Sequence, residues 1–127
     1  MEQRRQLIYL GSSQKDSRKL PEEVQELFAY ALDVALKGGQ HEDAKPLMGF
    51  HGRSVIEVVG DYRGDTYREV YTVRFEEVIY VLHIFQKKSK KGIATPKEDM
   101  ELIKQRLKWA EALHKEQYGK KKSKEQN

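Results

Sequence analysis

Residues 66–85 read TYREVYTVRFEEVIYVLHIF, and the way this stretch divides decides the fold. In TYREVYTVRF (66–75), Tyr67, Tyr71, Val73 and Phe75 alternate with Arg68, Thr72 and Arg74, the period-two pattern of a half-buried strand. VIYVLHIF (78–85) is apolar at both parities, as expected of a central strand. Only Glu76-Glu77 separates the two runs, so they are expected to pair as an antiparallel hairpin. With a two-residue turn, Phe75 would face Val78, Tyr71 would face Leu82, and Arg68 would face Phe85. Arg68, Thr72 and Arg74 would then share a sheet face with His83, Phe85 and Lys87.

Working outward, SVIEVVGDY (54–62) reads as the strand before this hairpin, joined to it by a turn at YRGD. After Phe85 comes the block FQKKSKKG (85–92), then Thr95-Pro96-Lys97-Glu98, which has the form of a capping box opening a helix. Met100, Ile103, Leu107, Ala110 and His114 fall on one stripe of that helix, which ends at Gly119. Toward the N-terminus, QLIYL (6–10) is a short β-type run, and Ser12 or Ser13 suits the N-cap of a short basic helix. Pro21 suits the first turn of a second helix, with Glu22 and Glu23 at its positive end, and Gly38-Gly39 stops it. QHEDAKPLMGFHGR (40–53) reads as a loop. The result is a single α+β domain over 1–118, a small antiparallel-dominated twisted sheet with helices packed on one face, followed by a basic tail, 119–127, expected to be disordered.

The 127 residues carry no cysteine, which removes disulfides and thiolate chemistry and fits a reducing cytoplasm. No apolar run approaches the roughly 20 residues of a membrane span, so no membrane partner is expected. The net charge of +4 is unevenly spread. Residues 85–97 hold five lysines and no acid, and 118–124 hold four more, leaving the remainder at about −5. An acidic body with two basic patches suits a polyanionic partner, since localised lysines release counterions on binding phosphate.

His41, His51, His83 and His114 show no metal-ligand spacing, and no nucleophile elbow, phosphate loop or dinucleotide fingerprint occurs. No metal and no cofactor are expected. The positive case is the sheet face with Arg68, Arg74 and His83, bordered by Lys87, Lys88, Lys90 and Lys91. Strand arginines hold phosphate bidentately, and crowded ammonium groups lower one another's pKa toward the range of general acid–base work. Metal-free RNA cleavage needs a base for the 2′-hydroxyl, cations for the phosphorane charge and an acid for the 5′-oxygen. Each residue also has a packing reading. Arg68 and Arg74 could pair with Glu69, Glu76, Glu77 or acids on a neighbouring strand, the better reading for Arg74 beside the turn; Glu57 could balance a nearby arginine; His83 fits a hydrogen-bonded core position.

Taken together, SVIEVV…DTYREVYTVRFEEVIYVLHIFQKKSKKGIATPKEDMELIKQRL resembles the RelE/HigB-like toxin superfamily, in particular its phage-derived branch, over residues 6–113. The resemblance implies a microbial-RNase-like α+β fold and a type II toxin that cleaves mRNA, often on the ribosome. It also implies a cognate helix-turn-helix antitoxin. By position it makes Arg68 the contact to the scissile phosphate and Lys88 the cation that stabilises the transition state, with Lys87 beside it and His83 on the same face. Arg63, Arg74, Lys90 and Lys91 would bind RNA. Two features depart from the family. The strand before YREVY carries no lysine, and GIATP stands where a catalytic tyrosine or histidine is expected, so general base and general acid stay unassigned. Two other readings remain open: a non-catalytic RNA- or ribosome-binding module, and an interaction protein that only docks an antitoxin.

Overall fold

A computed structural model describes residues 5–50, 52, 54–87 and 95–119. The elements are β1 (Gln6–Tyr9), α1 (Ser13–Arg18), α2 (Glu22–Leu36), β2 (Ala44–Pro46), β3 (Val55–Tyr62), β4 (Asp65–Thr72), β5 (Val78–Lys87) and α3 (Lys97–His114). One π-helical turn, Lys115–Gly119, continues α3. The five strands lie in the order β1-β5-β4-β3-β2, with β1 parallel to β5 and every other pair antiparallel. The α+β class and the antiparallel-dominated sheet are as the sequence predicts.

The helices divide between the two faces of the sheet instead of sharing one. On one face, Val24, Phe28, Ala31, Leu32 and Ala35 of α2 pack on Ile56, Val58, Tyr67, Tyr71, Ile79, Val81 and Ile84. On the other, Ile103 and Ala110 of α3 pack on Val55, Val70, Val78, Tyr80 and Leu82. The reason is already in β5, whose residues from Val78 to Ile84 are all buried. A strand apolar at both parities must be covered on both sides.

The β4–β5 pairing departs from simple alternation at one place. Arg68 faces Phe85 as expected, but Tyr71 faces Val81, with the register shifting between Val70 and Tyr71. Leu82 is the extra residue of a β-bulge. Its carbonyl accepts from Nη1 of Arg106 on α3 at 2.9 Å, so the disrupted ladder leaves that group satisfied. The bulge resets the parity of β5: Val78, Tyr80 and Leu82 face α3, and so do His83, Phe85 and Lys87 beyond it. β4 ends at Thr72, so Val73–Glu77 is a longer connection than the two-residue turn, and Phe75 does not pair with Val78. Instead Phe75 stacks on His114, with ring centroids 4.3 Å apart. By contrast, the β3–β4 turn at Arg63-Gly64 is the tight one. Both residues have positive φ, 49° and 86°, as a type I′ hairpin turn requires.

Two local expectations fail. The loop at 40–53 contains β2, a three-residue edge strand that the sequence pattern does not reveal. At the start of α3 the capping box is not made: the N-cap is Pro96, with no side-chain cap, and Thr95 turns to a different partner. The tail from Lys120 onward lies outside the described residues.

One buried acid stands apart. Glu69, on the α2 face, is 1% exposed, and its Oε1 finds no hydrogen-bond partner among the described residues. Burial raises its carboxyl well above the ordinary range, and desolvation, then Glu69 itself, pushes the Tyr71 hydroxyl up to about 12. A carboxyl raised on folding contributes stability that is complete below its unfolded pKa and is lost as pH rises through the folded one. Glu69→Gln should therefore be more stable than wild type at pH 9, by about 1–3 kcal/mol, with the gap shrinking toward pH 5. Urea midpoints at the two pH values measure this, and an equal gap at both would refute it.

Candidate functional site

Four side chains form a diagonal stripe across four adjacent strands on the α3 face. Lys45 of β2 lies directly opposite Glu57 of β3. Arg68 of β4 is offset from Glu57 by two residues, since Glu57 faces Val70 and Arg68 faces Val59. Lys87 of β5 faces Thr66, again two residues along from Arg68. Neighbouring positions of like parity project to the same side, so the pleat turns these four residues into one array.

Its centre is an ion pair. Arg68 Nη1 donates to Glu57 Oε2 at 2.6 Å, and the two residues are only 5% and 2% exposed. A carboxylate so deeply placed needs a cation and further donors. Thr95 Oγ1 contributes a longer donor contact to the same oxygen, at 3.4 Å, which is where the predicted helix cap has gone. Burial first, then the Arg68 cation, lower the pKa of the Lys87 ammonium; Glu57 opposes this and Lys45 adds to it. Lysine beside arginine is an ammonium made more acidic than usual.

Above the pair lies a cleft of about 480 Å³. Its lining combines the polar Lys45, Glu57, Arg68 and Thr95 with the apolar Pro46, Leu47, Met48 and Met100. Two cations, Lys45 and Arg68, and one carboxylate give this lining a net positive charge. It can hold an anion while keeping a proton acceptor within the same array.

The candidates from the sequence sort unevenly. Arg68 and Lys87 belong to the stripe. His83 projects on the same sheet face but lines a second cleft of about 590 Å³, with Asp16, Phe85, Glu98 and Asp99 among its walls. The first turn of α3 stands between the two clefts, with Met100 and Thr95 lining one and Pro96 and Asp99 the other. There His83 Nε2 bonds Asp99 Oδ1 at 2.8 Å, and the ring stacks on Phe85 with centroids 4.5 Å apart. Desolvation lowers its pKa, against the opposing pull of the Asp99 hydrogen bond and charge. Arg74 lies beyond the end of β4 and pairs with Glu111 of α3 at 3.2 Å, outside the stripe. Arg63 sits at the tip of the β3–β4 hairpin with its guanidinium 5.1 Å from the Tyr62 ring centre. Lys88, Lys90 and Lys91 lie outside the described residues.

Lys45 is the member that sequence reasoning missed. It stands alone in a polar loop, and only the pairing of β2 with β3 carries it to Glu57. Glu57 was legible as a balancing charge but not as the centre of a site. Among the described residues, no group of three or more His, Asp or Glu is placed to hold a metal ion, and no helix is long and apolar enough to cross a membrane.

Comparison with known proteins places the architecture. The family model described as "Phage derived protein Gp49-like (DUF891)" matches residues 15–108. No curated protein sequence matches the chain. Three solved structures from E. coli have a similar fold. A double arginine-to-alanine mutant of the toxin RelE in the free state is 24% identical, over 69% of this chain and 88% of that one, with a TM-score of 0.52. The isolated RelE toxin is 22% identical over 80% and 97%, also at 0.52. A chain of the intact RelBE toxin–antitoxin complex is 24% identical over 67% and 99%, at 0.50.

Proposed function

We propose, from the premise that the chain belongs to the phage-derived Gp49-like family, that it is the toxin of a type II toxin–antitoxin pair and cleaves mRNA endonucleolytically. The fold it shares with RelE supports the toxin reading, as does the resemblance carried by YREVY and the segment after it. The observation that carries the chemistry is the Lys45–Glu57–Arg68–Lys87 stripe beneath a cleft.

In this reading Arg68 and Lys45 hold the scissile phosphate. Glu57, beside Arg68, takes the proton of the 2′-hydroxyl. The 2′-oxygen attacks phosphorus, and the three cations stabilise the charge that develops on the phosphorane oxygens. As the phosphorus–O5′ bond breaks, the Lys87 ammonium, made more acidic by burial and by Arg68, protonates the leaving oxygen. The products are a 2′,3′-cyclic phosphate and a 5′-hydroxyl, and Lys87 regains its proton from water. This scheme fills the base and acid that the sequence leaves unassigned without calling on His83. Its setting is cytoplasmic mRNA on the ribosome, with a helix-turn-helix antitoxin as the controlling partner. One precedent is the RelBE toxin–antitoxin complex of E. coli.

The non-catalytic reading has one observation on its side, since the Arg68 guanidinium is already engaged by Glu57. Induced expression separates the two. Wild type should arrest growth and leave mRNA fragments ending in 2′,3′-cyclic phosphate, while Lys87→Ala/Lys45→Ala should do neither. If wild-type expression arrests growth with intact mRNA, the binding-module reading replaces the enzyme.

A further inference from the structure

The cleft over Arg68 has an apolar half that phosphate chemistry does not use. Leu47 is tied down: its amide donates to the Val55 carbonyl at 2.8 Å, and its side chain is 8% exposed. The next residue, Met48, is thrown outward and stands 87% exposed at the cleft wall. Large apolar side chains this open are few on this chain, among the described residues only Met48, Tyr30 and Trp109. Of these, Met48 lines the cleft over Arg68. Met100, from the first turn of α3, lines the same cleft. Gly49, at φ +101°, lets the loop close onto Met100, whose Cε lies 3.0 Å from where a Cβ on residue 49 would be. Two thioethers thus belong to the lining of one opening.

We propose that this wall is a nucleobase seat, which takes the flat face of one RNA base while the adjoining phosphate lies on Arg68. The proposal rests on the RNA reading above and specifies how the substrate is chosen. A cleft of about 480 Å³ holds one nucleotide, and its lining offers both polar and apolar side chains to it. Methionine suits the task because its polarisable sulfur packs against aromatic faces and its three torsions adapt to different rings. Pro46, Leu47, Met48 and Met100 present no side-chain N–H or O–H to a base edge. Selection at this seat therefore follows stacking area, purines over pyrimidines, with adenine and guanine treated alike.

The chain has three methionines, so selectively labelled methyl groups give a readable NMR spectrum of the seat. The probes are the 3′-monophosphates of adenosine, guanosine, cytidine and uridine, with inorganic pyrophosphate as the base-free control. Purine nucleotides should move the Met48 and Met100 methyl signals upfield by ring current, and pyrophosphate should not. Met48→Ala, at an exposed position, should weaken purine nucleotides about 2- to 10-fold and leave pyrophosphate unchanged. Adenosine and guanosine forms should bind within roughly threefold of each other. If nucleotides compete with pyrophosphate yet leave both methyl signals in place, the seat is overturned and the phosphate site stands. A strong preference for one purine overturns selection by stacking. If neither nucleotides nor pyrophosphate bind, the seat and the RNA reading fall together.

Discussion

Arg68→Ala should lower stability by about 3–5 kcal/mol, because it strands Glu57 as an uncompensated buried charge. Glu57 is 2% exposed and its Oε2 accepts from Arg68 at 2.6 Å, so losing the guanidinium leaves a poorly hydrated carboxylate without its cation. For a domain of this size the loss corresponds to a fall in Tm of about 10–20 °C. The discriminating comparison is Arg68→Met/Glu57→Leu, which removes both charges and keeps most of the volume. A buried ion pair replaced by apolar groups is often neutral or better, so the double variant should recover most of the stability while staying inactive on RNA. Thermal melts of the two variants test the claim, and it fails if the single substitution melts with wild type.

Glu57→Gln should cut RNA cleavage by about 10²–10⁴-fold with little change in fold. The amide oxygen of glutamine still accepts from Arg68 Nη1, so the central contact survives, but the side chain can no longer take a proton. RNA affinity, set by Lys45, Arg68 and Lys87, should hold or rise, since a negative charge has left the cleft. The measurement is single-turnover cleavage beside equilibrium binding. A variant that cleaves within a few-fold of wild type removes Glu57 as the base and returns that role to the lysines.

These two expectations also separate stability from chemistry at a site where both meet. Arg68 serves the fold through Glu57 and the proposed reaction through the phosphate, so its loss is expected to lower both melting temperature and cleavage. Lys45, exposed on the edge strand, carries no such double burden in the scheme. Its substitution is the cleaner probe of whether the positive array acts on RNA.

Much of this was legible in the sequence, and what was legible follows one rule. Alternation within a strand reports which side chains share a face, because the β period is two and a strand's own residues set it. TYREVYT therefore placed Arg68 opposite the tyrosines, and the apolar run after it identified a central strand with Arg68 beside Phe85. Length, caps and turn residues marked α2, α3 and the hairpin at Arg63-Gly64, since those signals also lie within a few residues. The fold class and family resemblance rest on such local words.

What lay across strands was decided only by tertiary structure. Lys45 reaches Glu57 because a three-residue edge strand pairs in one register, and nothing within AKP announces that register. The bulge at Leu82 keeps His83, Phe85 and Lys87 facing α3 although Val78, Tyr80 and Leu82 already do so, a change of parity that apolar residues on both faces conceal. Thr95 exchanged a helix cap for Glu57, and Arg74 left the sheet for Glu111, because partners on other elements came within reach. The sequence by itself thus determined the elements other than β2, the alternation within β4 and Arg68 as the residue to watch. Tertiary structure determined its neighbours, because lateral register depends on turns, bulges and edge pairing that no single strand encodes.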